Sequence, residues 1–147
     1  ADKDMHIFEI MAIMAEHRLT MIPITNYKNT YLGAICLEDL LNYFAKSFSF
    51  SEPGSIIVLE MHKSEYSLVE LSQIIESERA AILTTFITTH PDSMKVHVTI
   101  KINKHEIGNI LASMERHGIY VKASYSESVI DESLMERYDS LMKYLSV

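Results

Sequence analysis

The run Met94-Lys95-Val96-His97-Val98-Thr99-Ile100-Lys101-Ile102 decides how this chain folds. Apolar side chains stand at 94, 96, 98, 100 and 102, and lysine, histidine or threonine fills each place between. A strand sends successive side chains to opposite faces, so the run predicts a β-strand with one covered face and one wet face. Residues 55 to 125 supply the cover. Ser55 to Met61 is apolar enough for a strand buried on both faces. Ser67-Leu68-Val69-Glu70 has the form of a capping box and opens a helix striped by Leu68, Leu71, Ile74 and Ile75. Ala80 to Thr89 is rich in threonine and β-formers, and His90-Pro91-Asp92-Ser93 turns it back into the central run. Asn103-Lys104-His105-Glu106 begins a second helix with Ile107, Ile110, Leu111 and Met114 as its stripe. Gly118 falls where a left-handed residue ends a helix, and Ile119 to Tyr125 alternates again.

The order is β-α-β-β-α-β. Right-handed crossovers place both helices on one face of a four-stranded antiparallel sheet, which is the ferredoxin-like arrangement. Ser128 to Leu145 reads as a last helix, with Ile130, Leu134, Tyr138, Leu141 and Leu145 along a seam close to a heptad.

Upstream, His6 to Arg18 carries Ile7, Ile10, Met11 and Met14 at helical spacing, with Asp4 before it as the expected N-cap. Thr20 to Thr25 is extended and holds Pro23, which puts it at an edge. Asn26 to Asn29 has turn chemistry, Thr30 to Ile35 is a second strand, and Leu37, Leu40, Leu41 and Phe44 stripe the helix that follows. Pro53-Gly54 marks a boundary. The expected organisation is α+β: an αββα unit at 1–50, the βαββαβ domain at 51–126, and a C-terminal amphipathic helix at 127–147.

Composition limits the function. With 48% hydrophobic and 22% charged residues the chain is globular, and 147 residues make one domain or two small ones. A formal charge of −7 argues against nucleic acid, whose binders cluster lysine and arginine against phosphate. The lone cysteine, Cys36, rules out an internal disulfide and gives no sign of secretion. No apolar run reaches the length of a membrane span and no signal peptide precedes the first helix, so the cytoplasm is the expected compartment. The chain opens at Ala1 in mid-pattern without an initiator methionine, as a piece of a longer protein does.

Residues 5–46 resemble a CBS domain: a helix, a strand with Ile22-Pro23-Ile24, a strand ending Gly33-Ala34-Ile35-Cys36, and a helix opened by Leu37-Glu38-Asp39. The family's pattern there is glycine, two apolar residues, Ser/Thr, two variable residues and aspartate. Here Cys36 stands in the Ser/Thr place and Asp39 is the aspartate. The resemblance implies that Asp39 holds ribose hydroxyls, that Cys36 and Gly33 flank the ribose or phosphate, and that Ile22, Pro23 and Ile24 line an adenine base. AMP, ATP or S-adenosylmethionine is the implied effector. CBS motifs work in pairs and only one is present, so the partner motif has to come from an upstream repeat or a second chain. Cysteine is a weaker donor than a hydroxyl, which weakens the phosphate end. Asp39 also has a plainer role open to it, as a carboxylate favourable in the first turn of a helix.

Residues 55–125 are similar in topology to an ACT-type domain, a module that binds amino acids at dimer interfaces of metabolic enzymes. The family's ligand loop after the first strand commonly holds a glycine; here it is His62-Lys63-Ser64-Glu65-Tyr66-Ser67.

The remaining chemistry is sparse. Seven histidines include no pair at i, i+4 with a carboxylate, and only His62 and His90 are placed to meet at strand ends. Lys95, His97, Lys101 and Lys122 on the open sheet face form a place to attract an anion. Four scattered glycines make no phosphate loop. The expectation is a non-catalytic regulatory or sensor module that is a homodimer and takes a small-molecule effector, without nucleic acid or membrane as partner. The alternative is a regulatory tail or assembly module of a larger enzyme, with amino-acid binding at the ACT-like part.

Overall fold

The computed structural model describes residues 1–126 and 130–146, the side chains of 48–49 and 130–137 excepted. The chain is mixed α+β with two antiparallel sheets. It divides into two compact units, Ala1–Ser51 and Glu52–Val147.

The first unit runs α1 (Ile7–Glu16), β1 (Met21–Thr25), β2 (Tyr31–Cys36), α2 (Leu37–Ala45) and a short α3 (Phe48–Ser51). The cap of α1 is His6 rather than Asp4. His6 Nδ1 accepts the Phe8 N–H at 3.2 Å, and Glu9 reaches back to the His6 N–H at 2.9 Å. Asp4 instead pairs with Lys3 at 2.6 Å. The turn between β1 and β2 is held by Asn26, whose side-chain oxygen accepts from the N–H groups of Lys28 and Thr30. Ile10, Met14, Ile22 and Leu40 form the core. Of the stripe expected on α2 only Leu40 is buried; Leu37 and Leu41 are exposed. A two-stranded sheet offers too little apolar surface to cover the wide stripe of an amphipathic helix.

The second unit runs β3 (Ser55–His62), a 3-10 turn (Lys63–Glu65), α4 (Leu68–Ser77), β4 (Ile82–Thr89), β5 (Lys95–Ile102), α5 (Gly108–Arg116), β6 (Tyr120–Ser126) and α6 (Ile130–Leu145). The four strands lie in the order β4-β5-β3-β6, each pair antiparallel. The alternation read in the sequence is realised in β5, where Val96, Val98, Ile100 and Ile102 are all buried. They pack with Ile57 and Leu59 of β3, Leu71 and Ile75 of α4, and Ile110 and Met114 of α5. Each such side chain contributes about 1.5–3 kcal/mol on burial.

Several expectations shift. β3 is not buried on both faces: Ser55, Ile57 and Leu59 are buried, while Ile56, Val58 and Glu60 between them are half-covered. Both core helices pack on the side of Ser55, Ile57 and Leu59, and neither reaches the other side of the strand. Met94 precedes the strand and is exposed. Asn103 to Glu106 is not helical. Asn103 turns its side-chain oxygen to the Ala81 N–H at 2.7 Å, and α5 starts at Gly108 with Ile107 as cap. Leu68, at the first position of α4, is exposed, whereas Leu71, Ile74 and Ile75 are buried. The helix foreseen from Ser128 begins at Ile130; Ser128 and the side chains of Ile130 and Leu134 lie outside the described residues. Among the described residues no helix is long and apolar enough to cross a membrane.

Two glycines have structural reasons. Gly118 ends α5 with φ +73°, a conformation other L residues rarely adopt. At Gly54 a Cβ would sit 1.9 Å from the Ile102 carbonyl oxygen, so only glycine lets the two backbones approach.

Candidate functional site

In the first unit the site residues are positioned by the β1–β2 hairpin and the start of α2. The register pairs Met21 with Cys36, Ile22 with Ile35, Pro23 with Ala34, and Ile24 with Gly33. Directly opposed residues share a face, so Met21, Pro23, Ala34 and Cys36 lie on one side of the hairpin. Ile22 and Ile24 belong to the other side and pack in the core, Ile22 fully and Ile24 partly. The strand's period of two thus divides the apolar-proline segment: Pro23 is exposed, and Ile22 is the side chain least able to touch a ligand. Gly33 faces open space, with nothing within 4 Å of a Cβ placed there.

Cys36 ends β2 in an extended conformation and precedes the first turn of α2. Asp39 reaches back to it. One carboxylate oxygen, Oδ2, accepts the Cys36 N–H at 2.8 Å and the Cys36 thiol at 3.0 Å. The Cys36 N–H, and after it the thiol, hold the Asp39 carboxyl below the usual carboxylate range. Asp39 itself is solvent-exposed. The structure therefore brings Asp39 and Cys36 into contact beside the exposed face of Pro23 and Ala34. Met21 and Ala34 were not singled out by sequence; the alternation along β1 was the signal that places them there. An apolar cleft of about 410 Å³ lies elsewhere in this unit, between the end of α1 and the start of α2, with Arg18 at its rim.

The second unit holds a cavity of about 830 Å³, lined by the loop after β3, the start of α4, and the turn from α5 into β6. Glu60, His62, Glu65, Ser67, Lys95 and Tyr120 are among its walls. The loop is ordered by its own side chains: His62 Nδ1 lies 2.7 Å from Ser64 Oγ, and Glu65 reaches back to the His62 N–H at 3.3 Å. Ser67 caps α4 by accepting the Glu70 N–H at 3.4 Å.

Three of the four basic residues expected on the open sheet face, Lys95, His97 and Lys122, gather around a carboxylate. Glu60 lies 3.0 Å from His97 Nε2, 3.2 Å from Lys95 Nζ and 4.0 Å from Lys122 Nζ. The hydrogen bond with His97, and next that with Lys95, hold the Glu60 carboxyl below its ordinary value. An internal anion thus already occupies the middle of that cluster. His90 packs edge-on against His97, with ring centres 5.8 Å apart. Among the described residues no group of three or more His, Cys, Asp or Glu side chains is arranged to hold a metal ion.

Compared with known families, residues 1–46 match the model of the CBS domain. No curated protein matches the chain. The CBS match places the first unit among regulatory, ligand-sensing modules in general.

Proposed function

We propose that this chain is a non-catalytic sensor whose first unit binds an adenosine-type nucleotide, with Asp39 as the ribose ligand. The observation that supports the reading is the ionised Asp39 carboxylate at the start of α2, within the segment that matches the CBS domain. One oxygen is committed to Cys36, and a carboxylate has lone pairs for further donors. Pro23 and Ala34 supply exposed surface on the Cys36 side of the hairpin for a base or ribose. One motif is half a site, so the module works as a homodimer or beside a further repeat. Calorimetry with AMP, ATP and S-adenosylmethionine on the wild type, Asp39→Ala and Cys36→Thr tests this. Weak binding lost in Asp39→Ala and tightened in Cys36→Thr is expected. No heat with any of the three, also in a longer chain carrying a further repeat, sinks the reading.

A second reading is favoured by the cavity beside the His62–Ser67 loop. The second unit is ACT-like in strand order and binds an amino acid there, the whole serving as the regulatory tail or assembly module of a larger enzyme. Lys95 is the lining cation that meets a carboxylate, and Glu65 and Glu70 meet an ammonium. Titration with the common amino acids, repeated on Lys95→Ala, separates this reading from the first. A flat titration with every amino acid removes it.

A further inference from the structure

We propose that His97 is a proton-operated gate on the cavity beside the His62–Ser67 loop, strengthening its hold on a ligand carboxylate as pH falls. The inference rests on the amino-acid reading of that cavity and adds its regulation. Glu60 and Lys95 belong to both places: each lines the cavity, and each is a member of the charged cluster around His97. β3, β5 and β6 all contribute to that cluster. Glu60 stands directly across from His97 in the β3–β5 register. On the other side of β3 the pairing with β6 slips between Val121 and Ala123, and the residue left over is Lys122. A bulge of this kind re-aims a side chain, and here the Lys122 ammonium comes to 3.1 Å from His97 Nε2. Glu60 Oε2 lies 3.0 Å from the same nitrogen. His90, just past the end of β4, packs edge-on against the His97 ring. The side chains of His97 and Glu60 are only 20% and 25% exposed, so water competes weakly for these contacts.

The proton decides which cation serves Glu60. With Nε2 bare, His97 accepts from Lys122, and Glu60 leans on Lys95, 3.2 Å from its Oε1. Once protonated, His97 donates from Nε2 to Glu60 and repels the Lys122 ammonium. Glu60 then has a cation of its own, and Lys95 is released to meet a carboxylate in the cavity. The wall gains one positive charge in the same step. By reciprocity, a carboxylate that binds Lys95 draws a proton onto His97. His62, across from Lys95 in the register, and His117 are further histidines of the cavity wall. Only the pH dependence that vanishes with His97 therefore belongs to the gate.

The test titrates the whole chain with the common amino acids by calorimetry at about pH 6 and about pH 8, on the wild type, His97→Gln and Glu60→Gln. The wild type is expected to bind about fivefold tighter or more at the lower pH, taking up a proton as it does so. His97→Gln is expected to bind with one affinity at both. Glu60→Gln, which leaves Lys95 without a competing carboxylate, is expected to bind at the higher pH as tightly as the wild type does at the lower. Nitrogen NMR of the unliganded wild type needs no variant to fold, and the Lys122 ammonium signal is expected to move as His97 titrates. A pH dependence that survives in His97→Gln, or a Lys122 signal that ignores His97, overturns the gate and leaves the amino-acid reading standing. No binding of any amino acid at either pH overturns both.

Discussion

His97 Nε2 lies 3.0 Å from Glu60 Oε2 on the sheet face not covered by α4 and α5. The same nitrogen is 3.1 Å from Lys122 Nζ. It can donate to the carboxylate or accept from the ammonium, but not both at once, so the proton on His97 selects its partner. The carboxylate is the member whose charge is held in place by the others.

Glu60 is therefore expected to make stability depend on acid. Its carboxyl is depressed in the folded chain, so its contribution is present above the unfolded carboxylate value and lost as pH falls through the folded one. Thermal melts from about pH 6 down to about pH 3 check this. The wild type should lose melting temperature across the lower part of that range, and Glu60→Gln should lose less. Equal slopes in the two proteins mean that the cluster carries no linked proton.

Asp39 is expected to stabilise the start of α2 apart from any nucleotide. Its carboxyl is also depressed, so this contribution is likewise present above the unfolded value and disappears on acidification. Melts without nucleotide should rank the wild type first, then Asp39→Asn, which keeps an acceptor oxygen, then Asp39→Ala. A wild-type melting temperature in Asp39→Ala means that the reach to Cys36 contributes nothing to folding.

Ile100→Ala should cost about 2–5 kcal/mol in denaturant unfolding, since the side chain is completely buried among both helices and β3. A loss below about 1 kcal/mol would mean that the sheet and helices are not packed as described.

Two glycine substitutions should separate cleanly. Gly118→Ala forces alanine into a left-handed conformation and should cost about 1 kcal/mol or more. Gly33→Ala meets nothing within 4 Å and should stay within about 0.5 kcal/mol. If Gly33→Ala keeps its stability yet weakens AMP binding, the glycine belongs to the ligand's surface.

The legible parts of the sequence were those where periodicity and burial agree. Lys95–Ile102 alternates because one side packs against α4 and α5 and the other does not, and a single strand records that in its own letters. What escaped were interactions that substitute one chemistry for another. Capping boxes are sought as Ser or Thr followed by Glu, yet His6 with Glu9, His62 with Glu65 and Cys36 with Asp39 reach back in the same way. A histidine nitrogen or a thiol stands where a hydroxyl is expected, which hid the cap of α1 and the reach of Asp39 back to Cys36. The double burial read into β3 failed for another reason. Ile56 and Val58 are apolar because they lie mid-sheet, and no letter in the strand tells whether a second layer covers them. Likewise Ile22 looked like a base wall until pairing with Ile35 put it in the core.

The approach of Gly54 to Ile102 also fixes where this polypeptide can be dissected. A tag or foreign segment spliced on at Ser55 would place its last residue where any Cβ falls 1.9 Å from the Ile102 carbonyl oxygen. The first strand would then be pushed off its partner before any sheet could close. Recombination in the laboratory has to cut at Glu52 or earlier, carrying Pro53-Gly54 along as part of the second unit rather than as disposable linker.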